Sequence, residues 1–202
     1  MNPAFCELRL YRVAPGRMDD MVDRLRGPLQ ILFARHGIRP VASWHTVSGP
    51  DHPVFIYLMN WASLDERSRA WGGFYADPEW QEARERTNRG SELVERYALN
   101  LLRPIQAMAA DDVAAHGTHE LLLPEIAIGK SARAQEEVSH LAAALSRIGA
   151  RLLGAYECMT GDDLPRAALF VSWPDDATRR VHASLFERHP LGRAQRYQLE
   201  RL

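Results

Sequence analysis

Glu7-Leu8-Arg9-Leu10 lies in the chain's first apolar run, and Glu120-Leu121-Leu122-Leu123 repeats it 113 residues later. Gly16 falls opposite Gly129 at the same offset. With one residue dropped the correspondence continues at 112: Gly37 faces Gly149, Trp44 faces Tyr156, Gly49 faces Gly161, Trp61 faces Trp173, Ser63 faces Asp175, Arg67 faces Arg179, Phe74 faces Phe186 and Pro78 faces Pro190. Matches in one order and one register mean a duplicated unit, and a repeat has to be recognised before any single element is read. Arg96-Tyr97-Ala98-Leu99 aligns with Arg196-Tyr197-Gln198-Leu199 at an offset of 100. The second copy therefore lacks 112 − 100, about a dozen, residues, and the missing piece is the segment around Trp80.

Each copy reads strand, helix, strand, strand, helix, strand. Residues 5–13 and 119–128 are short β-rich runs, whereas Met18, Met21, Val22, Leu25, Leu29, Leu32 and Phe33 recur at helical spacing. Gly27-Pro28 interrupts that helix, and an interior proline removes an i→i−4 bond, so a kink or break is expected there. The counterpart from Ser131 to Ile148 has no proline. Residues 39–47 and 53–61 flank Ser48-Gly49-Pro50-Asp51, and residues 151–159 and 166–173 flank Gly161-Asp162-Asp163, which gives one hairpin per copy. Ser63-Leu64-Asp65-Glu66 has capping-box spacing, Asp175 can cap the equivalent helix, and Asp77-Pro78-Glu79 predicts a further short helix carrying Trp80 in the first copy only. The expected fold is α+β, two tandem βαββαβ units whose sheets face one another, with a first domain over 1–105, a linker over 106–117 and a second domain over 118–202.

Composition narrows the function. Apolar residues make up 46% and charged residues 25%, which is globular and neither disordered nor membrane-like. The formal net charge of −1 comes from interspersed signs, so no basic stripe exists to neutralise a run of phosphates and nucleic acid is not an expected partner. The N-terminus lacks the pattern of an export signal and no apolar stretch is long enough to span a bilayer, so a cytoplasmic location without membrane contact is expected. Cys6 and Cys158 each sit in an apolar strand-like run and read as buried free thiols.

The first half resembles the NIPSNAP family through Glu7-Leu8-Arg9-Leu10-Tyr11, Pro15-Gly16, His36-Gly37, Trp44, Trp61, Asp77-Pro78-Glu79-Trp80 and Leu101-Leu102-Arg103-Pro104. The second half resembles it more weakly, because Leu122 and Pro124 replace Arg9 and Tyr11 and Trp80 has no equivalent. The resemblance implies a dimeric α/β-barrel of the ferredoxin-like superfamily, here completed within one chain. That superfamily also holds cofactor-free monooxygenases, muconolactone-type isomerases, polyketide cyclases and haem-dependent enzymes, so fold alone does not decide function.

Strand alternation puts Glu7, Arg9 and Tyr11 on one face of the first strand and Cys6, Leu8 and Leu10 on the other. In one reading Glu7 and Arg9 are a charge pair lining the seam between the sheets. In the other, Glu7 is a general acid or base with its pKa raised by burial, and Arg9 or Tyr11 stabilises a developing enolate or phenolate. The difference between the copies favours the second. Trp44, Tyr57, Trp61, Trp71 and Trp80 are either core or the wall of a pocket for a ring-containing ligand. His45, beside Trp44, is a further catalytic candidate able to titrate near neutrality. His116 and His119 are not spaced as a metal site, Gly72-Gly73 follows no strand and is no phosphate loop, and no Ser-His-Asp or Cys-His set is recognisable.

The leading expectation is a small-molecule enzyme needing no cofactor and no metal. Its site would lie in the first copy, between sheet and helices, and would perform isomerisation, cyclisation or oxygenation of an aromatic or polyketide-like substrate. The alternatives are a ligand-binding or scaffold protein without catalysis, and a haem protein. A homodimer of the two-domain chain is left open.

Overall fold

The computed structural model describes residues 3–113, 117–187 and 193–202. In the first half, β1 (Phe5–Val13) leads through α1 (Met18–Arg24) and α2 (Gln30–Arg35) to the hairpin of β2 (Pro40–Ser48) and β3 (Val54–Trp61). Then come α3 (Leu64–Ala76), α4 (Pro78–Asn88) and β4 (Val94–Gln106). The second half repeats this with β5 (Thr118–Pro124), α5 (Ser131–Arg147), β6 (Arg151–Cys158), β7 (Ala167–Trp173), the short α6 (Asp176–Val181) and α7 (Ser184–Glu187), and β8 (Ala194–Arg201). Pro190 and His116 lie outside the described residues.

The strands run β4-β1-β3-β2 and then β8-β5-β7-β6, the same order twice. Antiparallel pairing of β2 with β8 and of β4 with β6 joins the two sheets edge to edge into a closed eight-stranded barrel. Closure leaves no strand edge unpaired, which is how two four-stranded sheets share one interior. The fold is thus α+β, two tandem ferredoxin-like units closing one barrel.

Alternation then assigns the faces. Cys6, Leu8 and Leu10 of β1, Trp44 of β2, Leu121 and Leu123 of β5 and Phe170 of β7 fill the barrel. Phe5, Tyr11, Tyr57 and Trp61 point outward under the helices of the first half, and Leu122, Leu169 and Trp173 do so in the second. Both cysteines are buried and free, and the Cys6 thiol donates to Asn60 Oδ1 at 3.0 Å.

The local signals act as the chemistry requires. Between α1 and α2 the helix widens into a π turn over Leu25–Leu29, with Gly27 off the helical region (φ −97°, ψ −105°) ahead of Pro28. Ser63 Oγ accepts from Glu66 N–H, while the Glu66 carboxylate reaches Ala62 N–H, one residue before the cap. Asp77 accepts from Glu79 N–H and sets Pro78 at the first helical position of α4. Gly73 is needed because a Cβ there would come within 2.9 Å of His36 Nδ1, and the His36 ring is tied to Asp77 at 2.7 Å.

Two expectations require correction. β5 ends at Pro124, with only an isolated bridge from Glu125 to Arg166 beyond it. The alignment of the last strands is also out of register. Leu8 pairs with Asn100 and its equivalent Leu121 pairs with Tyr197, so the offset is 97 and the second copy is shorter by 112 − 97 = 15 residues. A three-residue slip turns a strand over, and Tyr97 accordingly lies half-exposed outside against Tyr11 while Tyr197 is buried inside the barrel.

Candidate functional site

Glu7 leaves the outer face of β1 with no solvent exposure. Five N–H groups converge on its carboxylate. Arg9 Nε donates to Oε1 at 2.6 Å, and Arg67 of α3 donates Nε to Oε2 at 2.7 Å and Nη2 to Oε1 at 3.0 Å. Trp61 Nε1 reaches Oε2 at 2.9 Å and Trp71 Nε1 at 3.4 Å. Burial opposes the negative charge, but the hydrogen bond from Arg67 and the charge and hydrogen bond of Arg9 outweigh it and hold the carboxyl below the usual range. A raised pKa at Glu7 is therefore not what the fold produces. The pair also does not line the seam between the sheets, since the barrel interior is apolar and Glu7 and Arg9 face the helices.

Arg9 passes this anchoring on. Its guanidinium lies 3.6 Å above the Trp71 ring, and Nη1 donates to Tyr11 Oη at 2.7 Å and to Tyr75 Oη at 3.2 Å. Tyr57 Oη donates to Tyr11 Oη at 2.7 Å. Tyr11 thus accepts twice, which leaves its own hydroxyl proton for another acceptor. Burial raises the Tyr11 pKa despite the charge of Arg9, so the phenol is neutral at neutral pH and acts as a donor. Burial does the same more strongly for Tyr57.

These hydroxyls border a cavity of about 200 Å³ between the sheet and the helices of the first half. Met21, Leu29 and Phe33 from the broken first helix form one wall, and Trp71, Phe74 and Trp80 from α3 and α4 form another. The break at Gly27-Pro28 separates the segments that carry Met21 and Leu29. Trp80 packs on Phe74 with ring centroids 4.6 Å apart, and α4 exists to place it.

The candidate residues thus divide. Glu7, Arg9, Tyr11, Tyr57, Trp61, Trp71 and Trp80 come together in one connected group. Trp44 does not, because it points into the barrel, stacked on Phe170 at 5.2 Å. His45 is also apart, on β2 with Glu200 at 3.5 Å. Tyr75, Arg67 and Phe33 were missed. Trp71, Phe74 and Tyr75 share the i, i+3, i+4 spacing of one helix face, a signal that was available for Tyr75. Among the described residues no group of three His, Cys, Asp or Glu side chains could hold a metal. The cavity lining includes no histidine, and its volume is below the ~300–1,000 Å³ of sites for drug-sized ligands.

The NIPSNAP family model matches residues 6–107, the first unit with all of the group just described. The chain belongs to the NIPSNAP family. A comparison with curated proteins found no match. Among solved structures, this NIPSNAP chain is similar over its whole length to a candidate monooxygenase from Lactobacillus acidophilus NCFM, with 9% identity, 94% of that chain covered and a TM-score of 0.63. An anthrone oxidase-like protein aligns with 98% of this chain and 91% of its own at 11% identity and a TM-score of 0.61. A candidate monooxygenase from Fusobacterium nucleatum aligns over 100% of this chain and 93% of its own at 8% identity and a TM-score of 0.54. At such identities the likeness is one of fold. No helix among the described residues is long and apolar enough to cross a membrane.

Proposed function

We propose that this NIPSNAP protein is a small-molecule enzyme whose first domain, residues 1–105, holds an electron-rich ring with a carbonyl or phenolic oxygen against Tyr11. Residues 118–202 form its structural partner and 106–117 the linker. The observation that carries the reading is the double acceptance at Tyr11 Oη, from Arg9 and from Tyr57 at 2.7 Å each. A phenol whose oxygen is already bound to a guanidinium is a stronger donor, and a fixed donor in a dry pocket stabilises an oxyanion as it forms. The chemistry this serves is enolate or phenolate formation, leading to isomerisation, cyclisation or oxygenation of the ring. Glu7 is the anchor of Arg9 and not the base, because five donors occupy its oxygens and lower its affinity for a proton.

The same saturation supports a second reading, binding without turnover, since the carboxylate in the cavity lining, Glu92, is tied to Arg84 and Asn88. One titration tests the shared part of both. 2-Naphthol should bind to the wild type with quenching of tryptophan fluorescence and with its absorbance shifted toward the naphtholate. Tyr11→Phe should weaken binding about tenfold, which corresponds to one hydrogen bond of about 1.4 kcal/mol, and should abolish the shift; its melting midpoint should fall by a few degrees while the protein stays folded, because Arg9 and Tyr57 lose an acceptor. Equal affinity and equal ionisation in the variant would refute the role of Tyr11. Turnover of an enolisable ring substrate then separates the enzyme from the binder.

A further inference from the structure

The barrel has a second cavity, of about 460 Å³, at the end where the two hairpin loops meet. Leu10, Val54 and Leu123 form its apolar part, and Asn100, Gln195, Tyr197 and Arg166 supply polar groups. The two loops repeat one another closely. Asp51 and Asp163 both adopt φ 56°, and the turn glycines, Gly49 and Gly161, approach Tyr197 and Asn100 so closely that neither position has room for a Cβ.

Against that symmetry one position departs. At the offset of 112, Val54 of the first copy becomes Arg166, so an arginine enters the barrel where the repeat has an apolar side chain. Arg166 is 7% exposed. Among the described residues its Nε has no hydrogen-bond partner, and the guanidinium makes a single bond to a side chain, Nη2 to Asp163 Oδ2 at 3.3 Å, whose carboxylate is largely in solvent. A buried guanidinium with five donors and one long bond is costly to keep unless something else uses it. Tyr197, 6% exposed, lines the same cavity, and its hydroxyl makes no hydrogen bond among the described residues. Burial, then the charge of Asp51, raises its pKa, so it is a neutral donor.

We infer that this end of the barrel binds a small carboxylic acid, its carboxylate on Arg166 and Tyr197 and its apolar body against Leu10, Val54 and Leu123. A guanidinium beside a phenol matches a planar carboxylate. The other two arginines at the cavity, Arg12 and Arg96, are already engaged by Asp51 and Glu95. Asp51, Asp162 and Asp163 around the opening disfavour a doubly charged phosphate while tolerating a monoanion whose charge sits on Arg166. The site shares Tyr97 with the lining of the Tyr11 cavity, but Arg166, Tyr197 and Leu123 belong to it alone, and it does not depend on that cavity's function.

The experiment uses the whole chain and three probes, benzoate, isobutyrate and phenylacetate, with benzyl alcohol as the neutral control, at constant ionic strength. At about 20 mM at least one carboxylate should raise the wild-type melting midpoint by about 2 °C or more, and benzyl alcohol should not. Amide shifts on titration should cluster in residues 98–100, 161–166 and 195–197. Arg166→Met should melt at or above the wild-type midpoint and lose the response, and Tyr197→Phe should weaken it. If no carboxylate stabilises the wild type, or if Arg166→Met keeps the full response, the assignment fails. It also fails if Tyr11→Phe abolishes the response while Arg166→Met retains it, because the acid would then occupy the other cavity. Should Arg166→Met not fold, the wild-type shift map decides by itself: shifts centred on Tyr11, Trp71 and Trp80 overturn the proposal.

Discussion

Glu7 and Glu120 occupy equivalent places in the two halves, and their surroundings are nearly the same. Each is buried, and each accepts from the indole at the end of the third strand of its unit, Trp61 at 2.9 Å and Trp173 at 3.2 Å. Each also meets the equivalent helix arginine, Arg67 at 2.7 Å and Arg179 at 3.8 Å. A second guanidinium completes both clusters, but from different strands. Arg9 supplies it from β1, next to Glu7, whereas Arg196 supplies it from β8, at the position opposite Leu122. The Glu-Trp-Arg cluster therefore belongs to the fold. Only the first half extends it. Tyr11 becomes Pro124, Tyr57 becomes Leu169 and Trp71 becomes Ala183, and the second half fills the space between its sheet and helices with Leu122, Leu141, Leu145 and Leu169. What the halves share holds the structure together, and what the first half adds, Tyr11, Tyr57, Trp71 and Trp80, shapes the cavity.

The largest expected effect tests the shared part. Glu7→Gln should cost about 3–5 kcal/mol in urea unfolding, because it leaves the buried Arg9 charge without its counter-ion, and Glu120→Gln should cost less, because Arg179 and Arg196 are partly exposed. A Glu7→Gln protein that melts like the wild type would break the comparison and return Glu7 to catalysis. Somewhat smaller is the pH effect. The folded-state pKa of Glu7 is below its unfolded value of about 4.3, so its contribution is complete above that value and is lost as pH falls through the folded pKa. The gap in unfolding free energy between wild type and Glu7→Gln should be constant from about pH 5 to 7 and close below about pH 4. A gap that widened on acidification would contradict the depressed pKa. The smallest effect concerns the unshared helix break. Replacing Gly27 and Pro28 together by alanine should change stability by no more than about 1–3 kcal/mol, in the stabilising direction, as the unbroken α5 illustrates, while 2-naphthol binding weakens because Met21 and Leu29 move. Undiminished binding by a straightened helix would show that the break is incidental to the cavity.

Much of this was legible in residue order. The duplication, the two hairpins, the caps at Ser63, Asp77 and Asp175 and the break at Gly27-Pro28 are local signals, each carried by a few neighbouring residues with fixed backbone preferences. The polar face of Glu7, Arg9 and Tyr11 followed from alternation. Misreading began where an inference needed a partner strand. The likeness of Arg96-Tyr97 to Arg196-Tyr197 is real as sequence, yet those tyrosines face opposite sides of the barrel. The missing guanidinium at Leu122 likewise looked like a lost site until Arg196 arrived from the neighbouring strand.

By itself the sequence determined that the chain is two copies of one βαββαβ unit, where the first strand and the hairpin of each copy lie, and which residues of the first strand share a face. Only the tertiary structure decided which of those faces is enclosed by the barrel and which lies under the helices, that Glu7 is saturated with donors rather than poised as a base, and that Trp44 belongs to the interior. The reason is physical. Periodicity and turn chemistry act over a few residues, whereas the pKa of Glu7 and the free proton of Tyr11 are set by Trp61, Arg67, Trp71 and Tyr57, which are 46 to 64 positions away in the chain and adjacent only after β3 pairs with β1 and α3 packs on the sheet.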